Sequence, residues 1–264
     1  MTRDVMVASA IAVGALMLVT WLISVLIHDA SLVDIAWGLG FVAVAGTCFA
    51  VGDGSHLRRL LILVVVGVWG LRLSAYLAWR KLGDGEDFRY AAMRRRWGDQ
   101  FAIVSLVRVY LFQGILLWVV SLPVQLSASS LRSTRGPLGY AGLAVAAVGF
   151  GFEALADFQL ARFKDDSANA GLVMDRGLWR YTRHPNYFGD FLMWWGVYLV
   201  AAETEFGRWA FAGPLLLTIL LIRVSGVVVL ERTIADRRPD YTDYKARTSP
   251  FIPWPPKKPG HQPA

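Results

Sequence analysis

Cysteine is almost missing from this chain of 264 residues: Cys48 stands alone, which excludes an intrachain disulfide and any cysteine-rich metal site. Histidine is scarce as well. His28, His56, His184 and His261 are far apart and lack the short spacings that bring two imidazoles to one ion, so no metal is expected. Charged residues make up only 18% and internal repeats are absent, so residues 1–264 are expected to form a single domain. Apolar surface is what the chain has in quantity. It is 55% hydrophobic, holds eleven tryptophans and has a mean hydropathy of +0.44, values that fit a membrane protein.

Runs of about 20 apolar residues, the length that crosses a bilayer, recur near 5–27, 32–52, 60–80, 104–126, 138–159, 187–202 and 209–230. The expected fold is therefore all-α integral membrane, with seven transmembrane helices. The first run is too long for a signal peptide and has no small-residue cleavage site behind it. Seven spans put Arg3, Arg58, Arg59, Arg132, Arg135 and Arg208 on one face. The other face holds six basic residues in the 80–96 loop, five in 162–183 and seven after residue 231. Basic residues gather on the cytoplasmic side, so the N-terminus is expected outside and the C-terminus in the cytoplasm. The net charge of +7 then reflects orientation and an anionic ligand, and no nucleic-acid partner is expected.

Between spans, "GEDFRYAAMRRRW" has the spacing of an interfacial amphipathic helix that contacts lipid headgroups, with Tyr90, Met93 and Trp97 among its apolar residues. Pro185 should open a helix, since the first helical position needs no amide donor. The proline-rich tail cannot be helical; Phe251, Ile252 and Trp254 are expected at the interface and 256–264 in disorder.

Polar residues cluster at the helix ends expected on the cytoplasmic side. In "RYTRHPNYFGDFLMWWG", Asn186 and Asp190 share a helical face at the mouth of a span, and Arg180, Arg183 and His184 surround free amides that favour an anion. Glu153 and Asp157 stand one turn apart with Arg162 and Lys164 beyond; two such carboxylates need cations or donors. Arg223, Glu231, Tyr241 and Tyr244 end on that side too, although interfacial anchoring is the commoner role of such tyrosines. "GFGFEA" has the look of a dinucleotide fingerprint without the strand it requires, so its glycines are read as close helix packing. Nearer the N-terminus, Asp34 lies within a span with Trp37 and Phe41 on its face. Its candidate partners are Arg72 and Tyr76, on a stripe with Trp69 and Trp79; Gln113 lies in the fourth span.

"GLWRYTRHPNYFGDFLMWWG" and "YTDYKARTSPFIPW" together resemble the C-terminal half of the steroid 5α-reductase family, most closely its bacterial relatives of unassigned function. Those relatives share Asp34, Trp37 and Gly38 as Asp-x-x-Trp-Gly, and the Gly85–Tyr90 loop. The resemblance implies a seven-helix cavity open to the cytoplasm in a bacterial inner membrane. Residues 31–130 would form the substrate side and 138–255 the half that binds NADPH. By motif, Asn186 and Asp190 would bind the cofactor, with Glu at the latter position in the family. Asp157 and Lys164 fall where its fifth-helix contacts lie, and Tyr181, Arg183, His184 and Tyr187 in the matching segment. Glu231, Tyr241 and Tyr244 fall in the matching tail. The implied chemistry is hydride transfer to a conjugated enone whose oxygen is held by an acid and a tyrosine. Asp34, Tyr76 and Arg72 would serve catalysis, and Trp37, Trp69 and Gln113 would bind substrate. Two positions depart: a lone Asp34 stands for the family's Gln-Glu pair, and Trp69 stands at its tyrosine.

A lipid-soluble substrate and membrane lipids are the expected partners, and no obligatory protein partner is evident. "RHPxYxG" also occurs in isoprenylcysteine carboxyl methyltransferases, so S-adenosylmethionine chemistry is the second reading. Against it, those enzymes carry paired glutamates where Arg232 here follows Glu231. A small lipid transporter is a distant third, because it would spread polar residues through the bundle.

Overall fold

The computed structural model describes residues 2–81, 83, 85–132, 136–224, 231 and 240–257. Residues 225–230, the end of the last expected span, and 258–264, most of the tail expected to be disordered, lie outside them. Regular structure among the described residues is helical, apart from an isolated bridge between Thr182 and Ser249. The main helices are α1 (Thr2–Leu26), α2 (Leu32–Val51), α3 (His56–Lys81), α4 (Phe88–Val120), α5 (Leu122–Ser127), α6 (Pro137–Asp165), α7 (Pro185–Ala202), α8 (Gly207–Val224) and α9 (Tyr241–Arg247). Six of them (α1, α2, α3, α4, α6 and α8) are long and apolar enough to cross a bilayer. Helix α7, the expected sixth span, has the length at 18 residues but is not one of these six. Exposed Ile11, Leu22, Val64, Ile115 and Val148 leave apolar helix faces bare, as lipid contact requires. The protein is an integral membrane protein with several spans.

The chain divides into two compact units. The first, Met1–Tyr140 with Tyr198–Gly213, is built on α2 packed between α1 and α3. Small residues let α2 and α3 meet closely: a methyl on Gly38 would strike the Gly70 carbonyl, and one on Gly70 would sit 2.6 Å from that of Gly38. Ser74 secures the crossing by donating to the Ile35 carbonyl at 2.7 Å. The expected amphipathic helix forms the start of α4, with the Asp87 carboxylate accepting from the Arg89 amide. It runs on through a tight turn at Gly98–Gln100 and a widened π turn at Leu106–Leu111, a distortion common near functional sites. Arg58 in α3 is fully buried. It donates to the carbonyls of Val200 at 2.6 Å and Arg132 at 2.9 Å and lies 3.5 Å from Glu203.

The second unit comprises Ala141–Val197 and Pro214–Ala264. Helix α7 begins at Pro185, as expected, and its glycines lock into α6. Methyls on Gly149 or Gly189 would strike the facing backbone, and so would one on Gly196 against Ala146. Gly149 therefore packs as the sequence implies, whereas the space beside Gly151 is open. The C-terminal segment is stitched to the loop before α7. Ser249 accepts from the Arg183 amide at 2.9 Å, Phe251 from the Thr182 hydroxyl at 2.9 Å, and Tyr181 from the Trp254 amide at 2.9 Å. Ile252 and Trp254 stay exposed, while Phe251 is buried in the unit.

Candidate functional site

In the first unit, Asp34 sits in the first turn of α2 on a cleft of about 390 Å³ lined also by Ser31, Leu77, Arg80 and Phe88. Its partners come from the start of α4. The Tyr90 hydroxyl donates to its Oδ1 at 3.1 Å, and an Arg89 guanidinium nitrogen is 3.4 Å from its Oδ2. Behind them, the Gln113 amide donates to the Tyr90 oxygen at 3.3 Å, and Trp37 Nε1 donates to Gln113 Oε1 at 2.6 Å. Trp37, Gln113, Tyr90 and Asp34 thus form one relay ending at the cleft. Sequence had paired Asp34 with Arg72 and Tyr76; the structure gives it Arg89 and Tyr90. The reason is that the start of α4 reaches the start of α2, where the Asp87 amide also donates to the Ser31 hydroxyl at 2.8 Å. Tyr76 packs on the Trp79 ring with the Arg80 guanidinium over it, and Arg72 is half-buried in α3. Trp69 is buried against Phe41 in the core and does not line the cleft.

The rim of this cleft is tied down by charge. Glu86 accepts from Arg94 at 2.7 Å and from the Ala30 amide at 2.9 Å, and Lys81 lies 2.8 Å from Asp29. Burial pushes the Glu86 and Asp29 carboxyls up, but these donors outweigh it and hold both below the usual carboxylate range.

The second unit gathers the remaining candidates. Glu231 is buried, with Arg183 Nε donating to its Oε1 at 2.7 Å, His184 Nε2 at 3.4 Å from the same oxygen, and Lys245 Nζ at 3.1 Å from Oε2. Burial would raise this carboxyl; hydrogen bonds from His184, Arg183 and Lys245 overcome it and hold its pKa at about 2. Arg183 also donates to the carbonyls of Lys245 and Thr248, so its fork is engaged within the chain. Tyr241 and Tyr244 are buried within the unit, where the sequence had offered exposed anchoring as their commoner role. Tyr244 donates to the Trp179 carbonyl, and burial with nearby Glu231 pushes the Tyr241 hydroxyl up to about 12. The His184 and Tyr187 rings stack at 5.5 Å.

Across the α6–α7 contact, Asn186 Nδ2 donates to Asp157 Oδ1 at 3.3 Å. Glu153 and Asp157 are buried, Asp190 is half-buried, and Arg162, Lys164, Arg180 and Arg223 are exposed; Tyr181 is also largely exposed. A cation-lined cleft of about 500 Å³ opens beside Arg180. Sequence reasoning passed over Tyr90, Arg89 and Lys245 as site residues. The first two stood in the quoted Gly85–Tyr90 loop, but a partner 56 residues away leaves no periodic trace. Lys245 looked like one charge among several in the tail.

An all-helical membrane protein with polar clusters in both units is the class these features define. Over residues 20–248 the chain matches the family described as "Protein of unknown function (DUF1295)", and it belongs to that family. No curated protein and no solved structure matches it.

Proposed function

We propose that the protein is an NADPH-dependent membrane reductase acting on a carbon–carbon double bond conjugated to a carbonyl in a lipid-soluble substrate. In this reading α7 is a seventh span, the N-terminus is outside, and the cofactor enters from the cytoplasmic side. The observation that carries the proposal is the Asp34–Tyr90 hydrogen bond at the edge of a cleft. An acid and a tyrosine joined in this way, in an apolar helical bundle, suit a ketone oxygen on which negative charge develops.

The second unit fits the cofactor in kind. Buried Asp157 with Asn186 offers acceptor and donor groups for sugar hydroxyls and a carboxamide, and the cationic cleft suits phosphates. When bound, NADPH supplies a hydride to the β-carbon of the enone. Asp34, carrying a proton, donates to the carbonyl oxygen, while Tyr90, whose hydroxyl donates to Asp34 Oδ1, holds the carboxyl in place. Gln113 and Trp37 fix the tyrosine's direction. The enolate that results takes a proton from water at its α-carbon, which completes the addition of hydride and proton across the double bond.

The test is NADPH consumption by the purified protein against a panel of lipid-soluble enones, in the wild type and in Asp34→Asn. Wild-type turnover with some enone, lost in the variant while NADPH still binds, supports the proposal. Equal turnover in both would remove Asp34 from the chemistry.

A further inference from the structure

The 500 Å³ cleft of the second unit has a composition that helix packing does not require. Arg176, Arg180, Arg247 and Lys257 line it, with Asp175 as the acidic member. Asp175 is taken by Arg247 at 2.7 Å. Among the described residues, no carboxylate pairs with Arg176, Arg180 or Lys257. Like charges collected around one opening repel unless an anion joins them, and arginine's planar fork matches phosphate oxygens two at a time.

The walls are held in place. Gly177 adopts a left-handed φ of +58°, which turns the chain between Arg176 and Arg180, and the Leu178 amide donates to Gln159 Oε1 at 3.0 Å. On the other wall, the Lys257 amide donates to the Arg247 carbonyl at 2.9 Å. Two segments some 70 residues apart in sequence (72 between Asp175 and Arg247) thus bring their cations to one preorganised place. The volume lies in the range of small-molecule sites.

We propose that this cleft binds a phosphate monoester. Two sources carry that group: the 2′-phosphate that distinguishes NADPH from NADH, an assignment that rests on the reductase reading, and the headgroup of phosphatidic acid.

The experiment uses the full chain, in detergent and in phosphatidylcholine nanodiscs with or without phosphatidic acid. Thermal stabilisation is read for wild type and for Arg176→Gln/Lys257→Gln, with 2′-AMP as probe and adenosine as its phosphate-free counterpart. Lys257→Gln alone serves if the double variant does not fold. For the nucleotide source, 2′-AMP raises the wild-type melting temperature, adenosine does not, and the variant needs about tenfold more probe. For the lipid source, 2′-AMP is silent and phosphatidic acid stabilises the wild type but not the variant. Equal responses of both proteins, or no response to either phosphate, overturn the proposal. If NADPH and NADH stabilise wild type and variant alike, the cleft assignment fails and the reductase reading stands. If 2′-AMP or phosphatidic acid binds while NADPH does nothing, the reductase reading fails alone.

Discussion

Asp34 and Glu231 are both acidic side chains that accept hydrogen bonds, yet their settings differ. Asp34 is open to its cleft, and among the described residues only Arg89 lies within ion-pair distance, at 3.4 Å. Glu231 is buried under three donors. The account therefore assigns chemistry to the first and anchoring to the second. Replacing Tyr90 by Phe removes the hydroxyl that holds the Asp34 carboxyl; on the proposed chemistry turnover should fall about 10²-fold with the NADPH dissociation constant unchanged. Kinetics and binding measured on the same preparation check this, and a weakened cofactor with intact turnover would reverse the roles. For Glu231 the prediction concerns pH. A carboxyl depressed from 4.5 to about 2 stabilises the fold fully above pH 4.5 and progressively less as pH falls toward 2. The melting-temperature gap between wild type and Glu231→Gln should be constant above pH 4.5 and shrink below it.

Among the helices, glycine decides how closely neighbours pack. Gly38→Val in α2 should cost about 1–3 kcal/mol or more, because the new side chain meets the Gly70 carbonyl of α3 and the Ser74 hydroxyl, which is itself tied to the Ile35 carbonyl. Thermal melting in detergent measures it. The buried Arg58 is a second fastening, joining α3 to the segment after α7. Glu203→Ala would leave that guanidinium without its carboxylate and should cost about 3 kcal/mol or more, read in the same assay. Much of this level was legible in the sequence. Hydropathy marked the helices, Pro185 the start of α7, and "GFGFEA" the close packing at Gly149. The meeting of the start of α4 with the start of α2 was not, since "FRYAAMRRRW" is equally suited to a headgroup surface and to covering a polar cleft. Nor was the burial of Tyr241 and Tyr244, which depends on a tail stitched to the loop before α7 by backbone hydrogen bonds that leave no compositional mark.

At the scale of the whole molecule, six helices among the described residues have the length and apolarity of membrane spans. Helix α7 falls short of them where Asn186 and Asp190 interrupt its apolar run, the same residues that made it a candidate binding element. Both units carry polar clusters, and the proposed function gives the substrate to the first and the cofactor to the second. The central claim is that the charged cofactor is NADPH. Thermal stabilisation of the detergent-purified protein by NADPH, NADH and S-adenosylmethionine tests it most directly, because a ligand selective for the native state raises the melting temperature. The account predicts a rise with NADPH and none with S-adenosylmethionine; a rise with S-adenosylmethionine and none with NADPH would contradict it.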